Sequence, residues 1–159
     1  MPELSFKEWV EQKDEEARSS EKAQRRDEWL RAYHALKSQI FEWLHEDGGG
    51  RIRIESEWVR KNENALGAYD IEGFRVEIGD FSVHFVPVSR NVIARVNPPE
   101  GGEFRGAGCV DVTDGTRKYR LYRTIQDQGD VWYVVDEDRR PATQLSKKRL
   151  EEILMDLMS

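Results

Sequence analysis

The chain has 159 residues, 38% hydrophobic and 35% charged, with a formal net charge of −6; this is the length and balance of one domain and leaves no material for a second core. A single cysteine, Cys109, excludes an internal disulfide framework and a multi-cysteine zinc site, and points to a reducing, cytoplasmic compartment. The apolar runs are a few residues long, so no membrane span is expected; Met1-Pro2-Glu3 has neither the charge nor the apolar stretch of a leader, and the acidic balance argues against wholesale nucleic-acid binding.

Residues 1–47 read as a helical segment. Ser5 and Glu8 stand in capping-box register, with Leu4 and Trp9 at the staple positions. From residue 7 to 28, 14 of 22 side chains are charged, so this stretch cannot bury a wide face. Asp14 with Arg18, Glu21 with Arg25 and Asp27 with Arg31 sit four apart in the favourable acid-first order, while Ser19-Ser20 offers a point for the helix to break or re-cap. From Trp29 the pattern changes: Trp29, Tyr33, Leu36, Ile40 and Trp43 recur near a period of 3.6 and mark the core-facing part. A helix running from 20 to 46 is about 40 Å long, against a radius of gyration of about 15 Å for this chain length. One end is therefore expected to project or kink before Gly48-Gly49-Gly50 ends the helix.

Residues 51–136 read as an antiparallel meander of six or seven strands. Ile52, Ile54 and Trp58 alternate with charged neighbours. Phe74, Val76 and Ile78 run into Gly79-Asp80 and then Phe81, Val83 and Phe85, which predicts a two-residue hairpin pairing Ile78 with Phe81 and Phe74 with Phe85. A further strand carries Val92, Ala94 and Val96, with Pro87 marking a bulge or an edge before it. Asp114-Gly115 predicts a tight turn pairing Val110 with Tyr119 and Asp111 with Lys118. The strand at 131–135 is apolar on both faces and is expected to be central or covered by a helix. Residues 146–158 form the last helix, with Ser146 as N-cap and Leu145 stapled to Leu150.

Candidate chemistry is sparse. His34 and His45 are about 16 Å apart along one helix, so with His84 they make no three-histidine site and no metal is assigned. Cys109 follows Gly106-Ala107-Gly108 on a strand approach, away from the cationic surroundings that activate a thiol, and reads as structural. Asp136-Glu137-Asp138 followed by Arg139-Arg140-Pro141 reads as a self-neutralised turn rather than a calcium loop. No nucleophile, base and orienter stand at a familiar spacing, so no catalytic residue and no cofactor is assigned.

Three surfaces remain as binding candidates. Lys118, Arg120 and Tyr122 form an outward row able to follow phosphates and stack a base, extended by Arg51 and Arg53 if those strands are neighbours. Tyr69, Phe85, Arg95 and Tyr119 are placed to line a pocket between a curved sheet and its helices. Trp9, Trp58 and Trp132 are aromatic anchors for a protein partner. The reading is an α+β domain: an N-terminal helical segment, a curved antiparallel sheet, and a C-terminal helix packed on one face. It is expected to bind another protein, or to self-associate through its N-terminal helices, without catalysis; a small-ligand pocket and the basic strand face are the alternatives.

Overall fold

The computed structural model describes residues 3–136 and 141–159. Helix α1 (Phe6–Gly48) is 43 residues long, about 65 Å at 1.5 Å per residue. Its start is the expected capping box: the Ser5 hydroxyl accepts the Glu8 amide at 3.2 Å, and the Glu8 carboxylate accepts the Ser5 amide at 3.4 Å. The break foreseen at Ser19-Ser20 does not occur. Serine costs about half a kcal/mol in a helix interior, and the pairs Asp14–Arg18 at 3.2 Å and Glu21–Arg25 at 4.0 Å support the helix on either side of the position.

The two halves of α1 differ completely in burial. Every residue from 3 to 22 is exposed, whereas Trp29, Ala32, Tyr33, Leu36, Ile40 and Leu44 are buried three or four apart and lie on the sheet. The chain exposes 10180 Å², roughly 2,000 Å² more than area scaling gives for a chain of this mass. That excess is the signature of the free half of the helix, which projects as an arm continuous with the buried half.

After a 3-10 turn (Gly49–Arg51) the strands are β1 (Ile52–Glu63), β2 (Gly67–Ile78), β3 (Phe81–Ser89), β4 (Arg95–Val96), β5 (Phe104–Arg105), β6 (Cys109–Thr113), β7 (Lys118–Gln126), β8 (Gly129–Asp136) and β9 (Thr143–Gln144), followed by helix α2 (Lys147–Leu157). Seven of them form one sheet in the order β1-β2-β3-β6-β7-β8-β9, every neighbouring pair antiparallel. The second half of α1 and the buried stripe of α2, Leu150, Ile153, Leu154 and Leu157, share one core with Phe74, Val83, Val112, Leu121 and Val134. This is the α+β architecture read from the sequence. The Ser146 hydroxyl caps α2 by accepting the Arg149 amide at 3.1 Å.

Several local details depart from expectation. The Gly79-Asp80 hairpin has the foreseen register, Phe74 opposite Phe85 with their rings stacked 4.5 Å apart. The β6–β7 hairpin is shifted by two residues: Val112, not Val110, faces Tyr119, and Asp111 faces Arg120. The Asp114 carboxylate accepts the amides of Thr116 and Arg117 at 2.8 and 2.7 Å, which builds a four-residue loop where a two-residue turn was expected. A shift of two preserves which side chains face the core.

Val92 and Ala94 lie outside any strand. Arg95–Val96 pairs with Phe104–Arg105 as a separate two-stranded flap, and β3 passes directly to β6. Pro87 consequently lies on a central strand, at a bulge between Pro87 and Ser89, and not on an edge. The flap explains the doubly apolar β8. Trp132 and Val134 face the helices, while Val131 and Tyr133 face the other way and are closed over by Val96 and Ala142, with Phe104 stacked on Tyr133 at 6.5 Å.

The long β1–β2 ribbon keeps an unbroken register from Ile52 opposite Ile78 to Glu63 opposite Gly67, yet Ile54 and Val59, which point to opposite sides of a flat strand, both pack on the core. The ribbon coils so that its core-facing side changes near Gly73. A side chain there is excluded, because a Cβ would stand 2.9 Å from the Phe85 carbonyl oxygen and 3.1 Å from that of Glu57. The coil carries Trp58 to solvent, 66% exposed, away from the side it shares in sequence with Ile52 and Ile54.

Candidate functional site

Where α1 meets the sheet, three chain segments converge on one carboxylate. Glu28 accepts hydrogen bonds from Arg123 of β7 and, at 2.9 Å, from Arg90. The Arg123 side chain is 4% exposed; its Nε lies 3.0 Å from Asp130, and its Nη1 donates to the Ala107 carbonyl at 3.2 Å. Burial alone raises the Glu28 carboxyl, but the hydrogen bonds and charges of Arg123 and Arg90 outweigh it and hold the group below the ordinary carboxylate range.

Two further contacts fix the root of the arm. Arg25 donates from Nε to the Ala65 carbonyl at 2.9 Å, gripping the β1–β2 turn. Trp29 packs on Trp132, centroids 6.3 Å apart, and lies so close to Gly108 that a Cβ there would stand 2.4 Å from its ring. Sequence reasoning missed this cluster. The signal was present, since Arg123 stands in the inward register of Tyr119 and Leu121, where a cation requires a buried partner.

Beyond this root, the hydrogen bonds and ion pairs of side chains 7–22 stay within the helix among the described residues. The tip is apolar: Phe6 is 79% and Trp9 47% exposed, with Leu4 and Val10 also exposed, and the Phe6 and Trp9 rings stack at 6.0 Å. The arm is thus a helix anchored at its root, with a greasy end and charged flanks.

The residues singled out in the sequence fall in scattered places. Trp9 and Trp58 are exposed, one on the arm and one on the coiled ribbon. Trp132 differs from them: it is 8% exposed, packed against Trp29, and what remains accessible of it lines a shallow groove with Leu36 and Trp43. The pocket expected from Tyr69, Phe85, Arg95 and Tyr119 is corrected. Tyr69 and Phe85 belong to the packed core, and the Tyr119 hydroxyl donates to Asp156 at 2.6 Å; burial, and after it this bond, pushes its pKa up to about 12. Arg95 sits on the flap, exposed and paired with Glu103 at 3.3 Å.

Lys118, Arg120 and Tyr122 do line one groove of about 640 Å³ beside the flap, together with Arg95 and Asp136. Both cations already share Asp111, at 3.8 Å from Lys118 and 3.4 Å from Arg120. Arg51 and Arg53 do not extend this row. They precede and begin β1, four strand positions from β7, about 19 Å away at the usual strand spacing. Arg53 is paired with Glu77 at 3.5 Å instead.

Cys109 is buried, and burial followed by the Asp111 charge pushes its thiol up to about 12. It is protonated and inert at neutral pH. His34 and His45 are exposed on α1, and His84 contacts Glu57 at 2.7 Å through Nδ1. Among the described residues no three His, Cys, Asp or Glu side chains group to hold a metal ion, and no helix is long and apolar enough to cross a membrane. The acidic turn expected at 136–141 falls largely outside the described residues. No protein family matches the chain, and neither curated proteins nor solved structures yield a match.

Proposed function

We propose that this protein is a non-catalytic binding module whose first helix presents the contact surface to another polypeptide. The observation that carries the reading is the arm itself: residues 3–22 are wholly exposed, and Leu4, Phe6, Trp9 and Val10 cluster at its tip. A polar helix of this length is marginal by itself in water. Here it is continuous with a buried second half and aimed by the Glu28–Arg123 and Arg25 contacts, an arrangement that supports docking of a preorganised helix over induced ordering. Aromatic side chains exposed on such an element are the kind that anchor interfaces. The same reading sets the protein in a reducing, cytoplasmic compartment, where Cys109 remains a thiol.

The test is affinity capture on the full chain beside the variant Phe6→Glu with Trp9→Glu. A polypeptide held by the native chain and lost with the variant supports the reading. Capture that is identical for both, or absent for both, overturns it.

A further inference from the structure

We propose that the occupant of the arm is the same arm of a second copy of this chain, paired antiparallel. The proposal rests on the reading of the arm as the contact element and names its partner. Its basis is a charge division along the helix. Residues 7–16 hold five acidic and two basic side chains, net −3, while residues 18–26 hold four basic and one acidic, net +3. An antiparallel pair sets each acidic half against the other copy's basic half. A parallel pair sets like against like and is repelled.

The internal ion pairs do not exhaust these charges. Lys13–Glu16, Asp14–Arg18 and Glu21–Arg25 are satisfied within the helix, but among the described residues Glu11 and Glu15 in the acidic half and Lys22 in the basic half have no ion-pair partner. The seam follows from spacing. Phe6, Val10, Lys13, Ala17, Ser20 and Gln24 recur alternately four and three apart, the interval at which two helices stay in register. Ala17, at the middle, lets two helix backbones approach closely, and the apolar end of one arm arrives beside the basic half of the other. At about 100° per residue this seam lies roughly 140° around the helix from the stripe of Trp29, Leu36 and Ile40, so the sheet does not obstruct it.

The overlap is about 28 Å long. A helix pair of that length buries an area at the low end for specific association, so the dimer is expected to be weak and governed by charge. Sedimentation of the full chain over a wide concentration range reads this directly. The dimer is expected to loosen by about tenfold or more from low to high salt. Arg18→Glu with Lys22→Glu should weaken it by a similar factor, and adding Glu15→Lys with Glu16→Lys should restore it. Direction is read by cross-linking in a Cys109→Ala background: Val10→Cys chains mixed with Ser20→Cys chains should join, and Val10→Cys chains alone should not.

A chain that is monomeric at every concentration and salt overturns the pairing, and so does self-cross-linking of Val10→Cys. If that monomer still captures a different polypeptide through Phe6 and Trp9, the arm remains the contact element and the self-pairing alone is lost.

Discussion

Glu28 and Arg123, 95 positions apart in the chain, are joined where α1 leaves the sheet, and their bond sets the direction of the exposed arm. A guanidinium this buried keeps Asp130 alone as its counter-charge when Glu28 is neutralised. Glu28→Gln should cost about 2 kcal/mol of stability, read as a lower urea midpoint at unchanged slope. Removing both members, with Glu28→Gln and Arg123→Met, should cost less than Glu28→Gln alone, which leaves the buried guanidinium with Asp130 only. Equal losses would show that the cost is one of shape and not of charge.

The same bond gives an acid limit. The carboxyl of Glu28 titrates in the folded protein below its ordinary value of 4.5, so as pH falls the unfolded chain takes up the proton first. The stabilisation is complete above about pH 4.5 and is lost as pH drops through the folded value. Melting temperature against pH should fall less steeply at the acid end for Glu28→Gln than for the native chain, and superimposable slopes would contradict the assignment.

The three tryptophans first grouped as anchors should separate on replacement by alanine. Trp9 and Trp58 stand in solvent, so each change should leave stability within about 0.5 kcal/mol. Trp132→Ala empties a space against Trp29 and should cost about 3–5 kcal/mol. Denaturant unfolding of the three variants distinguishes these outcomes.

Gly108→Ala adds a methyl group that would meet the Trp29 ring at 2.4 Å. The indole is rigid and enclosed, so the displacement should cost about 1–3 kcal/mol and change the tryptophan fluorescence. A neutral result would place Trp29 differently on the sheet.

What the sequence disclosed was what short-range chemistry determines. Ser5 with Glu8, Ser146, and Gly79-Asp80 each specify their structure within a few residues, and caps and register came out as read. Alternation separated core from surface on β3 and β7 for the same reason. The failures needed distant partners. Alternation put Trp58 on the side of Ile52 and Ile54, although it was also named as an accessible anchor; coiling of the β1–β2 ribbon, which no local period records, carries it to solvent. Arg51 and Arg53 could be joined to Lys118 only on condition that their strands were neighbours, and that order is set by the whole sheet. The two-residue slip at Asp114 was local but subtler, since an aspartate that bonds its own loop amides competes with the tight turn. Arg123 was legible by register alone, but its partner on α1 was not.

Amide hydrogen exchange measured as a function of protein concentration tests the projecting, self-pairing arm most directly. In dilute solution residues 7–20 should exchange by fraying, orders of magnitude faster than residues 29–44, which open with the core. Protection of residues 7–20 should then rise with concentration and vanish in the Arg18→Glu, Lys22→Glu variant. Protection in dilute solution equal to that of residues 29–44 would contradict the account, because it would mean that the first half of α1 is held by its own chain.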